Sequence, residues 1–130
     1  MVDFDKYLVN WVNNIEYIPL KCSLEANTDE EYFIAIPRKG GTTSTEYYDG
    51  TKEKKIRYEF RVKSKNLTTI NNILFLLEEN IEDIVVGEIK NNDIILQRID
   101  IINEPYIDEL ASNDWFIKSL DVQVNLTVFK

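Results

Sequence analysis

The order of apolar and polar residues divides the chain into helical and extended segments. Phe4, Leu8, Trp11, Val12 and Ile15 recur at helical spacing, so one stripe of a helix over about Asp3 to Asn14 should face a core. Asp3 suits its N-cap and Asn13-Asn14 its exit. Pro19 prevents simple continuation, because a proline pushes the residues before it toward extended geometry. A connection through Thr28-Asp29 follows, and Tyr32-Phe33-Ile34-Ala35-Ile36 then reads as a short, largely buried strand ending at Pro37.

The middle of the chain carries the clearest extended signal. Arg38-Lys39-Gly40-Gly41 predicts a flexible bend, and Thr42 to Tyr48 is rich in strand-favouring Thr and Tyr. Asp49-Gly50 predicts a hairpin turn, since both residues tolerate the positive φ that tight turns require. The return strand, Lys54 to Lys63, alternates without a break. Ile56, Tyr58, Phe60 and Val62 fall on one face, and Lys55, Arg57, Glu59, Arg61 and Lys63 on the other.

A second helix is expected from about Leu67 to Glu79, capped by Ser64 or Asn66, with Ile70, Ile73, Leu74, Leu77 and Ile81 as its buried stripe. Beyond Gly87 and the turn-like Asn91-Asn92-Asp93, Ile94 to Ile102 reads as a strand. Its isoleucines fall on both parities, which predicts a central place in the sheet. Glu104 to Asp114 is acidic and reads as a loop with a helical turn. Trp115 to Phe129 is a long strand with Leu120, Val122, Val124, Leu126 and Val128 inward. Trp115 and Ile117 have the opposite parity, which predicts a bulge near Lys118-Ser119. This order of elements implies an α+β domain over residues 1–130: a mostly antiparallel sheet, two main helices packed on one face and a long β-hairpin arm.

Composition narrows the function classes. With 44% hydrophobic residues among 130, and four Gly and three Pro, the chain is too apolar for disorder. Histidine is absent, removing the commonest general base and metal ligand. Gly40-Gly41-Thr42-Thr43-Ser44 lacks the Gly-Lys-Ser/Thr ending of a phosphate loop. The carboxylates at Asp29-Glu30-Glu31, Glu78-Glu79, Glu82-Asp83 and Asp108-Glu109 read as a solvated acidic surface. Cys22 lies beside Lys21, whose charge favours a thiolate; without a histidine to act as base, a buried core thiol is the stronger reading. Trp11 and Trp115 each fall in an apolar pattern and read as core or interface anchors. The expectation is a non-enzyme with no cofactor and no metal.

The longest apolar run, Ile73 to Leu77, is too short to cross a bilayer, so no membrane partner is expected. No secretory leader is legible and there is a single cysteine, which together suggest a reducing cytoplasm.

Charge is unevenly spread. Lys52 to Lys65 holds seven basic and two acidic residues, for +5, while the rest of the chain carries −13. Such a strip suits nucleic-acid phosphates, or the acidic surface of another copy of the chain. A third account is an edge strand guarded by lysines. A net charge of −8 repels phosphates, which favours self-association over a small nucleic-acid-binding module using strand 52–65.

Ile36-Pro37, Gly40-Gly41, Tyr47-Tyr48-Asp49-Gly50-Thr51-Lys52, Tyr58-Glu59-Phe60-Arg61-Val62-Lys63 and the C-terminal Trp115-Phe116 follow one another in an order that resembles the small minor capsid or tail-terminator (tail-completion) proteins of long-tailed phages and prophages. The resemblance spans roughly Tyr32 to Phe129. It implies an α+β ring protein without enzymatic activity, usually of six subunits, that caps the tail tube and offers a surface to the head connector. Partners would then be further copies of the chain, a tail-tube protein and a head-completion or connector protein, with DNA only as passing cargo. The site would be the virion tail, after assembly in the bacterial cytoplasm. A head–tail connector or tube component is the neighbouring alternative. The candidate subunit-interface residues are Arg38, Lys39, Gly40, Gly41, Tyr47, Tyr48, Asp49 and Gly50 of the hairpin, with Lys55, Arg57, Arg61 and Lys63 of the basic strand face.

Overall fold

Apolar periodicity in the first helix translates directly into burial. In the computed structural model, α1 spans Phe4–Asn13, and its Phe4, Leu8 and Val12 are buried. The model describes residues 4–25, 31–46, 48, 50–90, 93–110 and 115–129, and the side chains of all of these except 39–46 and 104–110. The expected cap Asp3 and the connection through Thr28-Asp29 lie outside the described residues. Asp5 in the first turn suits the positive end of the helix dipole. At the far end, the Asn13 side chain donates to the Cys22 carbonyl (3.0 Å) and accepts from the Cys22 amide (2.7 Å). One side-chain amide thereby fixes a two-residue strand, β1 (Cys22–Ser23), beneath the helix end.

The remaining elements are β2 (Tyr32–Glu46), β3 (Lys52–Ser64), α2 (Leu67–Glu82), β4 (Ile94–Leu110) and β5 (Phe116–Val128). They form one five-stranded sheet in the order β1-β2-β3-β5-β4, antiparallel except for the β1·β2 pair. This is an α+β fold.

Helix α2 runs one turn past the expected Glu79. Both candidate caps act at its start: Asn66 Oδ1 accepts from the Thr68 and Thr69 amides (3.0 and 3.4 Å), and Ser64 Oγ accepts from the Asn66 amide (3.0 Å). Two otherwise unpaired backbone donors of the first turn are thus satisfied. Its buried stripe is Ile70, Ile73, Leu74, Leu77 and Ile81.

The core joins these helical stripes to one parity of β2, β3 and β5: Phe33 and Ala35, Tyr58, Phe60 and Val62, and Leu120, Val122, Val124 and Leu126. Tyr58 packs against Phe4 and donates its hydroxyl to Asp5 of α1. Lys118, on the same face by register, donates to Asn71 of α2 (2.8 Å). Each fully buried aliphatic or aromatic side chain contributes about 1.5–3 kcal/mol.

Four expectations are corrected. Arg38 to Gly41 is not a free bend, because β2 continues through it to Glu46 with a register shift between Arg38 and Thr42. The stretch from Glu104 to Leu110 is strand rather than loop: β4 extends to Leu110, paired with Phe116. No bulge interrupts β5 near Lys118-Ser119, since β3 and β5 stay in register from Lys52↔Val128 to Ser64↔Phe116. Ile117 and Leu120 are instead buried on opposite faces of a regular strand. Finally, β4 is an edge strand, not a central one; its irregularities lie between Leu96/Arg98, Ile101/Asn103, Asn103/Tyr106 and Ile107/Glu109. These shifts let isoleucines of both parities reach the core, as with Ile94 and Ile99. Among the described residues no helix is long and apolar enough to cross a membrane.

Candidate functional site

The basic strand expected from the charge pattern is β3, and it lies in the interior of the sheet between β2 and β5. An edge strand guarded by lysines is therefore ruled out as its description. Pairing also divides its cations. Lys52 and Lys54 sit opposite Val128 and Leu126, on the face that carries the core, whereas Lys55, Arg57, Arg61 and Lys63 project from the polar face.

At the centre of that polar face is a buried carboxylate. Glu59 is 3% exposed. It accepts hydrogen bonds from Arg38 of β2, from Arg61 Nε (2.8 Å) two residues along its own strand, and from Ser119 Oγ of β5 (2.8 Å). Three strands thus converge on one side chain. Burial alone would push the Glu59 carboxyl up; the hydrogen bonds from Arg38 and Ser119, with the charge and hydrogen bond of Arg61, outweigh it and hold the group below the ordinary carboxylate range. Ser119 is fully buried, so its hydroxyl depends on Glu59 as acceptor. The sequence pattern placed Glu59 only on the face opposite the apolar one. Its signal is an acid with arginines at i−2 and i+2, inside a run of cations.

The network extends toward β4. Asn103 donates to Asp121 (3.1 Å), and Asn125 and Arg98 both donate to Asp100 (3.0 and 3.2 Å). Gln97 donates to Thr127 (2.8 Å). The polar face is thus tied across its strands by charged and amide side chains rather than by apolar packing.

The candidate interface residues have different fates. Arg38 and Arg61 are committed to Glu59. Arg57 is exposed and stands directly opposite Arg38 on β2 and Gln123 on β5. With Arg38 turned to Glu59, neither Arg57 nor the half-buried Lys55 has an ion pair among the described residues. Lys63 reaches the other end of the face, where its ammonium lies 4.9 Å from the Trp115 ring centroid and 5.8 Å from that of Tyr32. Lys65 covers the same indole at 5.0 Å. Trp115 is therefore half-buried under two lysine heads, a packing and cation–π anchor. In the hairpin, Gly50 has φ +89°, as the turn requires, and Tyr48 is fully exposed. Lys39, Gly40 and Gly41 belong to β2, with Lys39's side chain outside the described set; Tyr47 and Asp49 lie outside the described residues altogether.

Other chemical candidates resolve into structural roles. Cys22 is buried, and burial pushes its thiol up to about 12, so the neighbouring Lys21 does not make it a thiolate. Trp11 packs on the core while its indole N–H donates to Glu88 (2.6 Å). Among the described residues no group of acids and Cys22 is arranged to hold a metal ion. The chain matches no protein-family model and no curated protein.

Proposed function

We propose that this protein works by assembly rather than catalysis, as a ring subunit at the end of a phage tail tube that terminates the tail and presents the head-joining surface. The observation that carries the reading is the polar face of the sheet. A buried carboxylate clamps three adjacent strands, while Arg57 and Lys55 beside it have no ion pair among the described residues. A pre-ordered surface of this kind loses little side-chain freedom when a partner docks, which lowers the cost of association. The phrases from Tyr32 to Phe129 that resemble tail-terminator proteins, and the α+β architecture that the resemblance implies, support the same reading. The competing nucleic-acid module is weakened because Lys52 and Lys54 of strip 52–65 do not share the face of Arg57.

Mass photometry and light scattering of the purified protein test the proposal. A ring-sized particle that also binds isolated tail tubes is expected. A protein that stays monomeric at high concentration and low salt, and instead retards DNA with a steep salt dependence, would overturn it in favour of the nucleic-acid reading.

A further inference from the structure

Two places in the molecule carry charge against local physics, and their charges are opposite. The first is Arg57, which stands directly across from Arg38; like charges at directly opposed strand positions destabilise a pair. Glu59 draws off Arg38 but leaves Arg57 exposed and without an ion pair among the described residues. The half-buried Lys55, also without an ion pair there, projects from the same face. The second is the end of α2. Its last turn has no basic residue and carries Glu79 and Glu82, with Asp83 as the C-cap, all exposed. A helix C-terminus bears the negative end of the dipole, so carboxylates there are unfavourable and cations are preferred. Residues that break a local rule without an internal compensation are where a partner is to be sought.

The two sets cannot meet within one molecule. α2 contacts Lys118 on the face that carries the core, whereas Arg57 projects from the polar face. Glu82 lies at the β4 margin of the sheet, beside Ile99, Ile101 and Arg98, whose guanidinium is already paired with Asp100 (3.2 Å); Arg57 lies on the central strand. Contact between different surfaces of identical chains is heterologous, and such a contact closes into a ring when the rotation allows.

From these placements we infer that the acidic C-terminal turn of α2 in one copy docks on the Arg57–Lys55 region of the polar face of the next. The occupant of the polar face is thus a second copy of this chain, seated head to tail. This rests on the ring reading above and specifies which surfaces make the ring. Each copy contributes an acid turn to one neighbour and a basic strand face to the other. The contact also relieves both local conflicts, since Arg57 gains a counter-ion and the α2 terminus gains cations.

The test is a charge swap read by mass photometry and sedimentation over a range of protein concentrations. Arg57→Glu alone, and Glu79→Lys with Glu82→Lys, should each weaken assembly by about tenfold or more, because like charges then face one another across the contact. Mixing the two variants should restore the wild-type particle, since each then meets a neighbour of opposite charge. Restoration also demonstrates that both variants are folded. If the wild type assembles but neither reversal changes its mass, this contact is wrong while the ring proposal stands. If the reversals dissociate the particle, circular dichroism shows both variants folded and their mixture stays dissociated, the two surfaces are not partners. A wild type that is monomeric under all conditions removes both proposals.

Discussion

Replacing Glu59 tests the physical account of the polar face most directly. Glu59→Ala would leave Ser119 Oγ fully buried without its acceptor and would take from Arg38 and Arg61 the carboxylate they share. An orphaned buried hydroxyl costs about 1–3 kcal/mol. Removing one member of a fully buried ion pair costs about 3–5 kcal/mol, but here the arginine side chains are 47% and 25% exposed and partly solvated in the variant. Solvent screening therefore pulls the total down to about 2–4 kcal/mol. Glu59→Gln keeps the shape and one carbonyl acceptor, so charge-assisted bonds become neutral ones at a cost of roughly 1–2 kcal/mol.

Urea unfolding at fixed protein concentration measures both variants, with a change in midpoint and an unchanged slope as the expected signature. The pH dependence gives a second check. Because the folded carboxyl is held below its unfolded range, near about 4.3 for a glutamate, its stabilising contribution is complete above that value. The contribution is lost as pH falls through the lower folded pKa. The stability gap between wild type and Glu59→Gln should thus be largest near neutrality and shrink in acid below about pH 4. A Glu59→Gln variant as stable as wild type at pH 7, or a gap that does not narrow in acid, would refute the clamp.

Two further outcomes follow from other parts of the structure. Asn66→Ala removes the acceptor for the Thr68 and Thr69 amides and should cost about 1 kcal/mol in thermal or urea unfolding; an unchanged midpoint would mean that Ser64 alone suffices as cap. Cys22, with its thiol pushed up to about 12 by burial, should resist maleimide at pH 8 in the native protein and react promptly in denaturant, as followed by mass spectrometry. Rapid native labelling would contradict its place beneath α1.

What could be read from the residues depended on whether a signal was periodic or relational. The alternation of Lys54 to Lys63 and the helical stripes of α1 and α2 are periodic, and the expected buried positions Tyr58, Phe60, Val62 and Leu8 are buried. Gly40-Gly41 and the acidic, proline-containing stretch from Glu104 punctuate the chain locally, yet β2 runs through the first with a shift of register and β4 pairs through the second. β5 is a regular strand from Phe116 onward, and its first residues need a partner on the side away from β3; that partner is the stretch of β4 reaching Leu110. β1 has two residues and no pattern to read. Glu59 was hidden because its burial comes from Arg38, Arg61 and Ser119 closing over it, and these reach it from three strands.

The irregular pairing of β4 bears on how copies of this chain can meet. A long, straight edge strand invites another of its kind to zip alongside, each added copy exposing a fresh edge for the next. Along β4 the pairing register shifts at four places, and Pro105 supplies no amide hydrogen. Two such strands laid side by side would fall out of step within a few residues, leaving donors facing donors. Growth by endless edge addition is therefore frustrated. Contacts between faces are not, and these can end in a closed particle of finite size.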